Sequence, residues 1–273
     1  MRFAICNEVF DGWTPRRIIE HVAALGYDGI EWSPYTLAEH ADQFTAAQRR
    51  ELRTMSTDAG VAVVGLHWLF VKPPGLALCS ADAALRARTT DYLRRLVHLC
   101  GDLGGKIMVF GSPKQRHIPA DVTRSIATGW AAETFAACAE DAAARDVTLC
   151  LEALPADLTN FLNTNAEVRA LVDQVAHPRV RMMVDVKSMS AETLSIADNI
   201  RACRGRFDHV HANDANLKGP GFGDTDYRPI AAALREVEFS GYVSVEVFDY
   251  TEGAEAIAAR SLDYLRRTFA TGQ

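Results

Sequence analysis

The sequence contains no run of eighteen consecutive apolar residues and no excess of basic charge. A membrane-spanning helix needs about 20 predominantly apolar residues, so no membrane span is expected. The formal net charge is -6 at pH 7, opposite in sign to the basic surface that nucleic-acid-binding domains present. These two absences favour a small molecule as the partner, rather than a membrane or a nucleic acid.

The chain also lacks a Cys-x-x-Cys pair, which is the usual sign of a zinc ribbon or a redox motif. Its six cysteines are scattered, and several lie within apolar segments where a free thiol packs as a small hydrophobic group. They are Cys6, Cys79, Cys100, Cys138, Cys150 and Cys203. This distribution predicts no disulfide framework and a reducing, cytoplasmic compartment.

Short apolar segments alternate with helical patterns along the whole chain. Eight strand-sized segments lie at residues 2–6, 29–33, 61–68, 106–111, 147–153, 180–186, 209–212 and 242–248. The first helical pattern starts at Thr14-Pro15, a cap followed by proline at the first helical position, and it ends at Gly26. Continuous apolar segments in strict alternation with helices are typical of parallel strands joined by right-handed crossovers.

Eight strand–helix units in 273 residues predict a single (β/α)8 TIM barrel that occupies residues 1–273 as one domain. The main alternative is a doubly wound open sheet, which usually carries a glycine-rich phosphate loop after an early strand. The first turn here, residues 7–12, is not such a loop. No linker or low-complexity segment divides the chain, so the closed barrel is favoured.

Four consecutive predicted strands each end on a side chain that can bind a metal ion. These residues are Glu152, Asp185, His211 and Glu246, on strands five to eight. The C-terminal ends of the strands form the active-site face of a TIM barrel, so the four side chains are expected to converge. Converging carboxylates repel each other unless a cation neutralises them. We therefore predict one divalent cation per chain, with Mn²⁺, Mg²⁺ or Co²⁺ favoured by the oxygen-rich donor set and Zn²⁺ as the alternative.

The segments around these residues form recognisable motifs. They are Leu-Glu at Glu152, Val-Asp at Asp185, His-Val-His at His211, Val-Glu at Glu246 and a loop containing Gly221, Gly223 and Asp226. With them the chain resembles, over essentially its whole length, the xylose isomerase-like TIM barrels. That group includes sugar phosphate isomerases/epimerases, ketose 3-epimerases, hydroxypyruvate isomerase and inosose dehydratase. The resemblance implies that the first four residues bind the metal, that Glu152 and Glu246 are also the acid/base pair, and that the protein forms a homodimer or homotetramer.

The leading functional hypothesis is a divalent-metal-dependent isomerase or epimerase of a sugar, sugar phosphate or keto sugar acid. A metal bound to a carbonyl and a neighbouring hydroxyl acidifies the carbon-bound proton and stabilises a cis-enediolate. Two carboxylates on opposite sides of that carbon can then take and return the proton. Proton return to the opposite face gives epimerisation, and proton return to the adjacent carbon gives isomerisation.

Three other functions remain open. A metal-dependent lyase, either a decarboxylase or a dehydratase of an oxidised sugar acid, would use the same scaffold and the same enediolate. An endonuclease IV-like DNA repair protein shares the fold, but it requires three zinc ions and more histidines at the rim, and the acidic charge disfavours duplex binding. A metal-free binding module would have no need of the four-ligand set.

One departure from the resemblance lies after strand six. The epimerases carry Asp-x-x-His there, with the histidine touching substrate, whereas this chain has Ser188 in its place and Lys187 beside it. Lys114 and Arg116 follow strand four, and Lys218 follows strand seven, at the same predicted rim. Since Arg and Lys hold carboxylates and phosphates well, these four cations are candidate substrate-binding residues. The alternative is that they are solvated loop charges.

Several aromatic residues also end or follow predicted strands. His67 ends strand three and is a candidate substrate contact, with a core histidine as the alternative. Trp13 and Trp68 follow strand ends and are candidates for an apolar wall of the pocket, or for ordinary packing. Glu31 ends strand two and is expected to orient a neighbour by hydrogen bonding, while His209 is expected one layer below the metal site.

Overall fold

The computed structural model describes residues 1–270, in which eight parallel strands form a closed barrel. The strands are β1 (Arg2–Cys6), β2 (Gly29–Trp32), β3 (Ala62–Leu66), β4 (Ile107–Phe110), β5 (Thr148–Leu151), β6 (Val180–Asp185), β7 (Phe207–Ala212) and β8 (Tyr242–Val245). Each strand pairs with its neighbours in chain order, and β8 closes the barrel onto β1. The protein is therefore a single (β/α)8 TIM barrel, as the sequence predicts. The predicted domain range, 1–273, runs three residues beyond the described part.

Within residues 1–270, eleven α-helices follow or connect the strands. They are α1 (Pro15–Leu25), α2 (Pro34–Leu37), α3 (Ala46–Asp58), α4 (Ala83–Leu103), α5 (Pro113–Arg116), α6 (Arg124–Ala144), α7 (Asn165–Val175), α8 (Val186–Ser190), α9 (Ile196–Ala202), α10 (Tyr227–Glu236) and α11 (Ala254–Ala270). Short 3₁₀ helices occupy Asn7–Phe10 and Ala41–Gln43. The extra short helices α2, α5 and α8 all lie in βα loops, on the face where TIM-barrel enzymes place their active sites.

The predicted helix boundaries hold where capping residues fix them. Thr14 accepts a hydrogen bond from the backbone of Arg17 at the start of α1, and Gly26 ends that helix with a left-handed φ of 89°. The apolar spacing also predicts a helix over 191–203, and its predicted start is wrong. This helix, α9, begins only at Ile196, where Ser195 accepts a hydrogen bond from the backbone of Asp198. The short helix α8 lies before the predicted range and is capped by Asp185 directly after β6.

The strands expose opposite faces to two different environments, as β7 illustrates. Val210 and Ala212 belong to the large hydrophobic core that lies between barrel and helices, whereas His209 and His211 point into the barrel interior and are fully buried there. A small apolar cluster of Val109, Cys150 and Met183 lies on three neighbouring strands with the same inward facing. The barrel interior therefore carries both polar groups and a small apolar cluster, and His209 and Met183 are register partners on β7 and β6.

The pairing of β3 with β4 depends on a glycine. A Cβ atom at Gly65 would collide with the backbone carbonyl of Ile107, its register partner on β4. Any larger residue at this position would push the two strands apart and open the barrel.

Among the described residues, none of the helices has the length and apolar character that a membrane span requires. All six cysteines are free and buried.

Candidate metal centre

Four side chains from consecutive strands meet at the C-terminal end of the barrel. Glu152 directly follows β5, Asp185 and His211 lie on β6 and β7, and Glu246 directly follows β8. One ligand atom from each lies within 4.8 Å of those of the other three, and all four residues are buried. The structure therefore brings together the four residues that the strand-end pattern selects.

The electrostatics of this cluster reflect crowded negative charge. Burial, followed by the charges of Asp185 and Glu246, raises the pKa of Glu152 to about 8. Burial and the charge of Glu246 likewise raise the pKa of Asp185. Burial also opposes ionisation of Glu246, but the charge and close approach of His211, together with His67 and Trp68, outweigh it and lower the pKa of Glu246. The cluster thus contains three carboxylates and only one imidazole to balance their charge, so the three carboxylates cannot all ionise easily.

Two atoms within the cluster lie at ion-pair distance but do not have hydrogen-bond geometry. His211 Nδ1 and Glu246 Oε2 lie 3.0 Å apart, and both are buried atoms with no hydrogen-bond partner among the described residues. Such a separation is about that of two ligands set at right angles around one ion at metal–ligand distances of about 2.1 Å. The donor set, its charge and these unpartnered atoms therefore fit a divalent cation.

Asp185 is fixed by hydrogen bonds to both of its carboxylate oxygens. The backbone N–H of Ser188 donates to Oδ1 at 2.6 Å, and the side-chain amide of Asn213 donates to Oδ2 at 2.6 Å. Asn213 Oδ1 in turn accepts from the backbone N–H of Lys187 at 2.7 Å. Ser188, which replaces the epimerase histidine, is itself buried. Sequence reasoning missed Asn213, although its position two residues after His211 was a usable signal.

Glu31 orients the imidazole of His211 from the barrel interior. Its two carboxylate oxygens contact His209 Nε2 at 2.7 Å and His211 Nε2 at 3.3 Å. Burial would raise the pKa of Glu31, but the charges of these two histidines and their hydrogen bonds lower it well below its usual value. Glu31 is therefore hydrogen-bonded to a neighbour, as predicted. The contact with Nε2 of His211 leaves the Nδ1 atom of that ring directed toward Glu246. A carboxylate that accepts a hydrogen bond from a ligating histidine fixes the orientation of the imidazole ring.

We expect Glu31→Gln to weaken divalent-metal binding by about 10- to 100-fold, because the amide cannot hold both imidazoles as a carboxylate does. Isothermal calorimetry with Mn²⁺ on metal-stripped protein measures this directly, without reference to turnover. Glu20→Gln, on the exposed face of α1, is the matched control and should bind Mn²⁺ like the parent. Equal affinity of the folded Glu31→Gln protein and the parent would contradict an orienting role.

His67 lies beside the cluster, with its ring centroid 6.0 Å from that of His211. It is fully buried, and its Nε2 contacts Glu8 Oε2 at 2.6 Å and Ser33 Oγ at 3.1 Å. Glu8 lies in a 3₁₀ turn just after β1 and was missed by sequence reasoning, since a lone glutamate in a first turn gives no signal. Nε2 of His67 is therefore already engaged within the protein, whereas Nδ1 has no hydrogen-bond partner among the described residues.

Trp68 forms part of an aromatic wall over Glu246. Its indole Nε1 donates to Glu246 Oε1 at 2.9 Å, and its backbone adopts a left-handed φ of 52°. Its ring lies 6.2 Å from that of Phe248 and 6.4 Å from that of Tyr35, while 37% of the residue remains exposed. Lys187 is half-buried at the edge of this wall, with its Nζ 5.6 Å from the Phe248 ring centroid.

Arg116 lies on the opposite side of the cluster, behind Glu152. It is fully buried, and its Nη1 donates to the backbone carbonyl of Glu152 at 2.7 Å. Burial lowers the pKa of Arg116 to about 10, despite the opposing charges of Glu152 and Cys79. The guanidinium therefore stays protonated at neutral pH, next to a carboxylate of the candidate metal centre.

The other three predicted substrate contacts are not brought to the cluster. Trp13 packs on the outside of the barrel, where the Arg17 guanidinium lies 3.4 Å from its ring centroid. Lys114 is exposed to solvent on α5, whereas Arg116 on the same helix is buried. Lys218 forms a 2.6 Å ion pair with Glu252. Local partners or solvent thus account for these side chains, which strand-end position alone could not reveal.

Comparison with known proteins places this geometry in a family. A family model described as xylose isomerase-like TIM barrel matches residues 19–268. The chain is 30% identical over 241 residues to the D-psicose 3-epimerase of Agrobacterium fabrum, covering 86% of this chain and 80% of that protein. It is 29% identical over 237 residues to the L-ribulose 3-epimerase of Mesorhizobium japonicum, covering 85% and 75% of the two chains.

A solved structure has the same architecture. The crystal structure of a D-psicose 3-epimerase in the presence of D-fructose superposes with a TM-score of 0.87 at 24% identity. The superposition covers 98% of this chain and 99% of that one. At this identity the likeness bears on the fold, and the sequence matches above carry the family assignment. The protein belongs to the xylose isomerase-like TIM barrel family.

Proposed function

We propose that this protein is a divalent-metal-dependent epimerase or isomerase of a sugar, sugar phosphate or keto sugar acid. The observation that carries the proposal is the convergence of Glu152, Asp185, His211 and Glu246 at the catalytic face of the barrel. The sugar epimerases among its relatives support the reaction class. Proton transfer would proceed through a cis-enediolate, with Glu152 and Glu246 as the acid/base pair.

These four residues would hold Mn²⁺, Mg²⁺ or Co²⁺, with Zn²⁺ as an alternative. When bound, such an ion polarises the carbonyl and neighbouring hydroxyl of the substrate and so acidifies the carbon-bound proton. Three anionic ligands and one neutral imidazole suit these ions, because they prefer oxygen and nitrogen donors to thiolates. The cation would also relieve the repulsion that raises the pKa values of Glu152 and Asp185.

Both glutamates would be deprotonated when they hold a cation, because carboxylates bind metal ions in their ionised form. Their complementary roles therefore depend on position. They follow β5 and β8, which are three strands apart in a ring of eight, so they approach a bound substrate from different sides. A carboxylate on each side of the reacting carbon can take a proton from one face and return a proton to the other.

The aromatic wall supports a carbohydrate as the substrate class. Trp68 and Phe248 present apolar ring surface beside Glu246, and Trp68 is partly open to solvent. Small-molecule sites commonly combine such apolar walls with a few polar groups that fix orientation. A sugar has both apolar C–H faces and hydroxyls, so one face would pack on the rings while the hydroxyls meet the charged cluster. Trp68 would also hold one oxygen of Glu246 in place.

A lyase acting on an oxidised sugar acid is the second candidate, because of two differences around the centre. The position of the epimerase histidine is occupied by Ser188, whose backbone holds Asp185 and whose side chain is no base at neutral pH. The buried cation of Arg116 lies next to Glu152 and suits an acidic substrate. Decarboxylation or dehydration would pass through the same enediolate and use the same four residues.

Deuterium incorporation from solvent tests the proposed function. Mn²⁺- or Mg²⁺-loaded protein in D₂O should introduce deuterium at a carbon next to the carbonyl of a ketose, sugar phosphate or keto sugar acid. NMR measures this incorporation. The position of the label and the product separate epimerase, isomerase and lyase. Metal-stripped protein is the control and should introduce none. Absence of exchange across the panel, in protein that demonstrably binds metal, would contradict the epimerase and isomerase assignment.

A further inference from the structure

We propose that Arg116 binds an anionic group of the substrate, a carboxylate or a phosphate, and so selects charged sugar derivatives over neutral ketoses. This inference rests on the proposed function, because it assigns a substrate class to the same site. It concerns a residue that lies outside the metal-ligand set and outside the acid/base pair.

The guanidinium of Arg116 has unused donors although it is fully buried. Nη1 donates to the Glu152 carbonyl, whereas Nε and Nη2 have no hydrogen-bond partner among residues 1–270. A buried charge without partners is costly, and proteins usually pair such groups or use them to bind a ligand. The carboxylate of Glu152 interacts with this charge at a distance, but the hydrogen bond to Glu152 is to its backbone, so the side chain leaves Nε and Nη2 without a partner.

The two unused nitrogens are on one edge of the guanidinium. The N–H bonds of Nε and Nη2 are nearly parallel, and this edge binds the two oxygens of a carboxylate or phosphate at once. The occupied nitrogen, Nη1, belongs to the other edge. The single contact with the protein therefore anchors Arg116 without using its bidentate edge. A neutral hydroxyl would satisfy at most part of that edge and none of its charge.

A second unpartnered donor lies one helical turn earlier. Ser112 Oγ is buried with no hydrogen-bond partner among residues 1–270, and its carbonyl accepts from the backbone N–H of Arg116 at 3.2 Å. Ser112 has a left-handed φ of 48°, at the junction between β4 and α5. The segment between β4 and α5 therefore carries a buried hydroxyl and a buried bidentate edge, both without a partner in the described chain and both of the kind that binds an oxygen-rich anion.

The other cations predicted at this rim do not offer the same site. Lys218 is paired with Glu252, Lys114 is exposed to solvent, and Lys187 lies against the ring of Phe248 on the other side of the cluster. Of the four, Arg116 alone combines full burial with unpartnered donors in the described chain. Arg116 would therefore hold the charged end of the substrate while the aromatic wall packs against the other end.

Three matched ligands test this assignment on Mn²⁺-loaded protein. D-fructose, D-fructose 6-phosphate and D-fructuronate share a ketose skeleton and differ in the group at carbon six, which is neutral, phosphorylated or a carboxylate. Calorimetry should show one of the two charged ligands binding about 10- to 100-fold more tightly than D-fructose, the range expected for hydrogen bonds to a charged group. The preferred ligand identifies the anion as carboxylate or phosphate. Equal affinity for all three would overturn the inference.

Two variants separate recognition from a structural role. Arg116→Gln should remove the preference for the charged ligand while the Mn²⁺ dissociation constant stays within about threefold of the parent value. Arg116→Lys keeps the charge but lacks the bidentate edge, so it should retain only part of the preference, and it serves if Arg116→Gln does not fold. Arg88→Gln, on the exposed face of α4, is the control. Equal weakening of all three ligands, or loss of Mn²⁺ binding, would make Arg116 a structural support of Glu152.

The binding measurement is independent of turnover, so the two proposals can fail separately. A charge preference that depends on Arg116, without deuterium exchange, would leave the subsite standing and remove the epimerase and isomerase assignment. Deuterium exchange with neutral ketoses and no charge preference would do the opposite.

Discussion

The substitutions Glu152→Gln and Glu246→Gln are each expected to abolish net epimerisation, with turnover lowered by about 100- to 10,000-fold. Each removes one of the two groups that exchange a proton with the reacting carbon, while the amide keeps the size of the side chain. Epimerisation needs both groups, since one takes the proton from one face and the other returns a proton to the opposite face. The remaining glutamate can still take and return a proton on its own face.

Each variant should therefore show a distinct pattern of deuterium incorporation in D₂O. Glu152→Gln should introduce deuterium without inversion into one epimer, and Glu246→Gln should do so only with the other epimer. Both residues are also candidate metal ligands, so bound Mn²⁺ must be quantified in every sample and supplied at saturation. Glu133→Gln, an exposed glutamate on α6, is the control and should epimerise normally. Loss of exchange with both epimers in metal-saturated variants would contradict separate roles for the two glutamates.

The metal cluster could be anticipated from sequence because its geometry follows from strand alternation. In a closed parallel barrel, residues at equivalent strand ends converge, so a coordinating residue at each of four successive ends specifies a site. His211 illustrates the rule, since Val210 and Ala212 face the helices and the residue between them must face the barrel interior. The strand boundaries themselves were predicted less accurately, and β3 and β8 are shorter than the apolar segments suggested.

Contacts made by the loops could not be anticipated in the same way. Trp68 reaches Glu246 across 178 residues of sequence, from a left-handed backbone position two residues after the end of β3. Arg116 and Lys114 are two residues apart on α5, yet one is fully buried and the other exposed. A four-residue helix has no periodic pattern that would reveal its buried side. The direction of each loop cation therefore depends on tertiary packing.

The glycine that directly follows β4 has a structural role. A Cβ atom at Gly111 would collide with Oε2 of Glu152, so the absence of a side chain after β4 leaves room for that carboxylate. The neighbouring Ser112 then starts the turn that carries Arg116 back onto the carbonyl of Glu152. The segment between β4 and α5 is thus shaped around Glu152, which links the candidate metal centre to the proposed anion subsite.

Metal-free protein is expected to lose stability as the pH rises from about 4.5 to about 8. The folded-state pKa of Glu152 is about 8, against 4.5 for an unperturbed glutamate, so the folded chain binds more protons than the unfolded chain in this range. The free energy of unfolding must therefore fall with increasing pH, by up to about 1.4 kcal/mol per pH unit for this group. Above pH 6.5 the raised pKa of His211 acts in the same direction.

Urea unfolding of metal-stripped protein at several pH values measures this slope. Glu152→Gln resembles the protonated carboxyl group and cannot ionise, so it should have a clearly smaller slope than the parent and should be more stable than the parent at pH 8. Glu133→Gln should keep the parental slope. A parent protein whose stability does not change between pH 5 and 8 would mean that Glu152 ionises without hindrance in the absence of metal.

The same protonation state predicts that metal binding releases protons at pH 7. Ligands must be deprotonated to bind a cation, and Glu152 holds a proton in the metal-free protein at this pH. Mn²⁺ titrations in two buffers of different ionisation enthalpy should therefore report at least about one proton released per ion, and about one fewer for Glu152→Gln. Because release favours binding at lower proton concentration, Mn²⁺ affinity should rise as the pH increases from about 7 to about 8. Binding at pH 7 without proton release would show that the carboxylates are already ionised, and that the crowded charge of the cluster is balanced within the protein itself.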